Sequence, residues 1–254
     1  MDKNYTDGGR SRWEFHTTDN PFTRYLRDRR LHVALDVLRE HGKLQPTSQS
    51  ALVVCGGVGG EAIFLANQGF QDVTVSDLSD EALRTADGLD HRIRTRHMNA
   101  EDIELPDNSV DLVFVQDGLH HLPRPALGLT EMLRVARTAA IVIEPHYGLV
   151  GSKIGTTWER HGDSINYVFR WSAQSFEQTV RRSLLAEHSP VVVRRFWDHN
   201  NQIAKVAQRA PTSQRLRAAK ALYGALSPFD RWGNMFVGVA FKPDGPPPPR
   251  LTSH

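Results

Sequence analysis

The chain predicts a doubly wound α/β fold, a mostly parallel sheet with helices on both faces. Three observations carry the prediction. Short apolar segments at 51–55, 73–77, 93–97, 110–116 and 139–144 alternate with helical stretches near 60–68, 79–88 and 125–137. Such βαβ alternation builds parallel sheets wrapped on both sides. The first segment, Ala51-Leu-Val-Val-Cys55, breaks into Gly56-Gly-Val-Gly-Gly60, so a buried strand gives way to a glycine turn and a helix. The third, Ile93-Arg-Thr-Arg-His97, is short and carries arginines, which suits an exposed sheet edge.

Before the first strand, residues 1–19 are polar, with Tyr5, Trp13 and Phe15 as apolar exceptions. Asn20-Pro21 then starts a helix, an N-cap residue followed by proline at the first helical position. Leu31, Ala34, Leu35 and Leu38 give it an apolar stripe, and Gly42 supplies its stop. Arg24, Arg27, Arg29 and Arg30 lie elsewhere around this helix and read as a solvated face, from which one of them could reach an anionic substrate. After Pro145 the rhythm changes. Residues 146–171 have no clear period but hold Tyr147, Trp158, Tyr167, Phe169 and Trp171, as a lid over a ligand would. A helix is expected at 172–186, a strand at 191–197, a basic helical stretch at 202–226 and a last apolar strand at 234–241. Pro243-Asp-Gly-Pro-Pro-Pro-Pro-Arg250 reads as a polyproline-like tail. The expected organisation is an arm and helix over 1–45, then one domain over 46–242 with the lid at 146–171 and a helical insertion at 199–232. A disordered tail follows at 243–254.

With 254 residues, 39% hydrophobic and 24% charged, the chain fits one generous globular domain. No apolar run is long enough to span a membrane, and the first ten residues lack the apolar core of a secretory leader. The single cysteine, Cys55, excludes a disulfide framework and a cysteine-based zinc site, so no metal is expected and a cytoplasmic location is. A net charge of +2 gives no electrostatic case for nucleic acid. Lys205, Arg209, Arg215, Arg217 and Lys220 make the insertion basic, but without the aromatic interleaving of a single-strand binder. A solvated face is the favoured use of that insertion, and a homodimer surface or a collar for an anionic substrate stays open to it.

Gly57, Gly59 and Ala62 fit the spacing in which small residues let a backbone turn tightly against a ligand. Asp77, eighteen residues after Gly59, stands where a carboxylate receives a ribose diol, although it could instead cap the next helix. This much admits either a dinucleotide or another nucleoside cofactor.

With Asn99-Ala-Glu-Asp-Ile-Glu-Leu-Pro-Asp-Asn-Ser-Val-Asp-Leu-Val113 and Gln116-Asp-Gly-Leu-His-His-Leu122, the stretch from about 50 to 145 resembles the class I S-adenosylmethionine-dependent methyltransferases. Two of the family's loop glycines match Gly57 and Gly59. Val53 stands where the family has aspartate and Cys55 where it has its first glycine. The resemblance implies a seven-stranded sheet with an antiparallel last strand, with S-adenosyl-L-methionine as cofactor. It also implies methyl transfer, here to a small-molecule metabolite. The cofactor contacts implied are Cys55, Gly56, Gly57, Gly59, Asp77, Leu78, Asn99, Ala100, Glu101 and Gln116, with Asn99 offering an acceptor oxygen to adenine. His120, His121 and His146 are the candidate catalytic groups, since imidazole titrates near neutrality. Asp117, Tyr147, Trp158 and Tyr167 are the candidate substrate contacts, with Glu144, Glu159, His161 and Arg170 as further residues of that side. Two alternatives stay open: a nicotinamide-dependent oxidoreductase, and a member that binds the cofactor without methylating, which Val53 and Cys55 motivate.

Overall fold

The computed structural model describes residues 18–149, 151–154, 158–161, 164–184 and 190–243. The arm at 1–17 and the tail from 244 onward lie outside the described residues. The strands are β1 (Ser50–Val53), β2 (Asp72–Asp77), β3 (Ile93–His97), β4 (Val110–Gln116), β5 (Ala136–Pro145), β6 (Trp158–His161), β7 (Ser164–Tyr167), β8 (Val191–Phe196) and β9 (Met235–Phe241). Seven of them form one sheet in the order β3-β2-β1-β4-β5-β9-β8. β1 to β5 run parallel, and β9 is antiparallel to both β5 and β8. β3 is the outer strand on its side, as its arginines predict; Arg94 pairs with Asp72 of β2 at the exposed rim.

The sheet is buried on both faces because alternate side chains point to opposite sides. Val53, Val75, Phe114, Ile141, Ile143 and Val237 belong to one core with the helices α1 (Pro21–Glu40) and α2 (Gly60–Asn67). α3 (Asp80–Leu89) adds Leu83 and Ala86 to this core. Leu52, Val54, Val113, Val115 and Val142 belong to the other, covered by α4 (Pro125–Val135) and α6 (Ala173–Leu184).

The capping residues act as their types dictate. Asn20 accepts from the N–H groups of Phe22 and Thr23 at the start of α1, and Gly42 leaves that helix at φ +67°. The apolar stripe Leu31, Ala34, Leu35 and Leu38 is buried in the first core. The N-terminal half of α1 faces elsewhere: Leu26 packs with Ile203, Ala207, Ala219 and Tyr223 in a third, smaller core. These residues lie on α7 (Asn200–Ala207) and α8 (Arg215–Leu226), so the insertion is two helices. Pro211 lies in the break between them, where it cannot donate a helical hydrogen bond. Its basic side chains Lys205, Arg209, Arg217 and Lys220 are exposed.

Residues 146–171 are more regular than their sequence predicts. A four-residue helix, α5 (Gly151–Ile154), precedes the antiparallel pair β6 and β7. Two bonds fasten the segment's ends: Tyr147 N–H donates to the Trp171 carbonyl and Phe169 N–H to that of His120. Trp171 is 1% exposed in the second core, so it is structural rather than part of a ligand wall. Among the described residues, no helix is long and apolar enough to cross a membrane.

Candidate active site

The site begins where β1 runs out. Cys55 has φ +52°, Gly57 +50° and Gly59 +82°, three left-handed residues within five. Such a turn needs glycine or a short side chain, which explains why the related family has glycine where this chain has Cys55. A Cβ on Gly59 would sit about 3.0 Å from Ile93 and 3.1 Å from Ala86. The loop therefore presses its backbone onto the sheet and offers its other side to a ligand. The Cys55 thiol is pushed up to about 12 by burial and by the neighbouring carboxylates Asp77 and Glu144, so it stays protonated and inert.

Asp77 closes β2 beside this loop. One carboxylate oxygen accepts from Gly57 N–H and the other from Ser79 N–H, each at 2.9 Å. The cap of α3 is Ser79, which accepts from Ala82 N–H; the capping role open to Asp77 is filled by its neighbour. Each Asp77 oxygen keeps acceptor capacity for a hydroxyl. Leu78, next along, is 50% exposed and offers an apolar platform of the kind an adenine ring covers. These features fit the adenosine half of S-adenosylmethionine.

The Asn99 turn differs from expectation in part. Asn99 Oδ1 accepts from Glu101 N–H at 2.9 Å, which orients the amide but commits one lone pair of the oxygen expected to meet adenine. Glu101 is not available as a side-chain contact. Its buried carboxylate pairs with Arg124, accepting from the Arg124 backbone N–H and from Nε at 2.9 Å, and so holds the start of α4. Ala100 is buried beside it.

Past β4, a fully buried Glu144 organises the turn. It accepts from Gly118 N–H at 3.0 Å and Leu119 N–H at 2.8 Å, and bonds His120 Nδ1. Burial raises the Glu144 carboxyl, and the contact with His120 opposes this. Glu144 thus positions a loop and does not face a substrate. His120 is buried with its Nδ1 held; His121 is exposed, its ring 4.0 Å from that of His120. His146 is buried, lowered by desolvation and by Arg195, and its Nδ1 has no hydrogen-bond partner among the described residues. Tyr147 is half exposed under the Arg170 guanidinium. Tyr167 is 84% exposed, a position that closes no pocket in this conformation. The side chains of Trp158, Glu159 and His161 lie outside the described residues.

An open cleft of about 520 Å³ lies on the far side of the glycine loop, lined among others by Arg30, Gly60, Glu61, Gln116, Asp117 and Asp198. Arg30 spans it, bonding Asp117 at the end of β4 and Asp198 after β8, the latter at 2.5 Å. Arg29 stacks on Tyr223 and donates to the Trp197 carbonyl, and Arg27 pairs with Asp28. The solvated face expected for these arginines is therefore corrected. Only Arg24 of the four is exposed, because the insertion and the strand ends cover the others. Gln116 donates to Glu61 at 2.9 Å. Glu61, pushed up to about 7 by burial and by Asp117, is a site residue that its sequence position conceals. An acid in the first turn of a helix is ordinarily a complement to the helix dipole.

Residues 52–143 match the methyltransferase domain family. The fold is similar to an S-adenosylmethionine dependent methyltransferase from Mesorhizobium loti, at 14% identity over 82% of this chain and 96% of that one, TM-score 0.55. It is also similar to the cyclase SpnF, at 16% identity over 88% of this chain and 82% of that one, TM-score 0.58. A third likeness is to a phosphoethanolamine N-methyltransferase 2 from Haemonchus contortus solved with S-adenosylhomocysteine, at 15% identity, 92% of this chain and 60% of that one, TM-score 0.56. At such identities these likenesses establish the fold. The sheet order ends in β5-β9-β8 with β9 antiparallel to both neighbours, which differs from the 3-2-1-4-5-6 order of the dinucleotide fold in its last strands and disfavours the nicotinamide alternative. The domain match over 52–143, on a fold shared with S-adenosylmethionine-dependent methyltransferases, points to methyl transfer with S-adenosylmethionine as cofactor.

Proposed function

We propose that the methyl acceptor is a small molecule that enters the cleft beside Gly60. The observation that carries this reading is the size and chemistry of the cleft: about 520 Å³, with walls of carboxylates, amides and two arginines. Within the cleft, Arg27 and Arg30 are paired with carboxylates rather than turned outward as contacts to a phosphate backbone would require. The cofactor, when bound, supplies a methyl group already activated as a sulfonium. The protein's part is to align a nucleophile in a dry site.

In this reading Asp77 orients the ribose, and the glycine loop lets the ligand lie against the backbone. Glu144 and His120 hold the β4 turn in place. His121, exposed at that turn, and His146, buried with an unbonded nitrogen, are the groups proposed to receive a proton from the acceptor. Asp117, fixed by Arg30, lines the cleft on the acceptor's side, and Tyr147 is proposed as a further acceptor contact outside its walls.

Incubation with S-adenosylmethionine and panels of small amines, alcohols and acids, with nucleic acid and protein panels alongside, tests the reading by mass spectrometry. The expected result is one methyl added to a small molecule, with an equal yield of S-adenosylhomocysteine. Methylation confined to nucleic acid or protein would refute it. A small molecule transformed without gaining a methyl would favour the non-methylating alternative.

A further inference from the structure

Val53, where the related family has its aspartate, is 1% exposed and packed in the first core. No carboxylate is available at that position to meet the amino acid end of the cofactor. The glycine loop leads instead to another. Asp77 touches the loop at Gly57, and the cleft opens at Gly60 and Glu61. A ligand whose ribose faces Asp77 and whose tail crosses Gly57–Gly59 therefore delivers that tail to Glu61.

The charges at this end of the cleft are unbalanced. Arg27 is paired with Asp28, and Arg30 is shared between Asp117 and Asp198. Glu61 has an amide partner, Gln116, and forms no ion pair with a cation among the described residues. Gln116 adds a second unmet demand: its Oε1 is buried with no donor among the described residues. A carboxylate and an amide oxygen side by side, both short of hydrogen, fit a group with several N–H donors and a positive charge.

We propose that Glu61, with Gln116, binds the α-ammonium group of the cofactor's methionine tail, replacing the carboxylate missing at Val53. The proposal rests on the cofactor assignment made above. The titratable and amide groups that line the cleft with Glu61 are Gln116 and Asp117 from the end of β4, Arg27, Asp28 and Arg30 from α1, and Asp198 and His199 after β8. Burial and Asp117 push the Glu61 carboxyl up to about 7 against the opposing pull of Arg30 and Arg27, both already paired with other carboxylates. An arriving ammonium favours the ionised form. Affinity for the amino acid tail then rises with pH through about 7, because below it a proton must leave Glu61 first.

Calorimetric titration of the full chain and of Glu61→Gln tests this with two ligands. S-adenosylhomocysteine carries the amino acid tail, and 5′-methylthioadenosine keeps the adenosine and thioether without it. The variant is expected to bind S-adenosylhomocysteine roughly 10- to 100-fold more weakly, the range of a charge-assisted hydrogen bond, and methylthioadenosine unchanged. Wild-type affinity for S-adenosylhomocysteine is expected to rise between pH 6 and 8, and that of the variant to stay flat. Equal loss of both ligands would make Glu61 a structural residue and overturn the proposal, as would unchanged binding of both. Failure of the wild type to bind either ligand would be a different result, removing the cofactor assignment itself.

Discussion

Glu144 receives three hydrogen bonds from one turn, those of Gly118 N–H, Leu119 N–H and the His120 ring. Removing a buried carboxylate strands every donor it served, which makes such groups expensive to delete. Glu144→Ala is expected to destabilise the fold by about 3–5 kcal/mol in urea titration; a loss under 1 kcal/mol would show that the turn stands without it. Gly59→Ala probes the loop in a different way. At φ +82°, with Ile93 and Ala86 about 3 Å from the added methyl, alanine meets both an unfavourable backbone region and a wall. A stability loss above ~1 kcal/mol is expected, together with weaker S-adenosylhomocysteine binding. Unchanged affinity in the folded variant would mean that the ligand does not lie on this loop. The glycine turn and the placement of Asp77 beside it were legible in the sequence because they are set by local spacing. Arg30 was not: its partner Asp198 is 168 residues away, and nothing near Arg30 announces it.

Among the elements, α1 does the most varied work. Its C-terminal half lies in the main core and its N-terminal half in the small core with α7 and α8. The Asn20 cap and the Leu31–Leu38 stripe are written into the sequence by residue type and period, and so are the strands β1 to β5. β6 and β7 were not, because Trp158-Glu-Arg-His161 and Ser164-Ile-Asn-Tyr167 are too short to display an alternation. Asn20→Ala is expected to cost about 1 kcal/mol by loss of two N–H acceptors, and Leu35→Ala about 2–5 kcal/mol by opening a cavity in the core. Thermal or chemical denaturation orders the two. An Asn20 variant costing more than the Leu35 variant would contradict the assignment of α1 to the core.

Across the whole molecule, Arg30 ties together three parts that are far apart in the chain: α1, the end of β4 and the segment after β8. Its pKa is raised further by Asp117 and Asp198, although burial works against this, so it is a fixed cation at every accessible pH. Arg30→Ala leaves two carboxylates facing each other across the cleft. A loss of about 3–5 kcal/mol is expected, and Arg30→Ala combined with Asp198→Asn is expected to recover part of it. Additive losses in that double-mutant cycle would show that the two residues are energetically independent.

The glycine loop, Asp77 and the cleft act as one site only if a single ligand spans them. Calorimetry of wild type and Asp77→Ala with S-adenosylmethionine and NAD tests this most directly. S-adenosylmethionine is predicted to bind the wild type at one site, NAD not at all, and the variant is predicted to lose about 1–3 kcal/mol of affinity as its ribose hydrogen bonds go. Binding of NAD in place of S-adenosylmethionine, or unchanged affinity in a folded Asp77→Ala protein, would contradict the account.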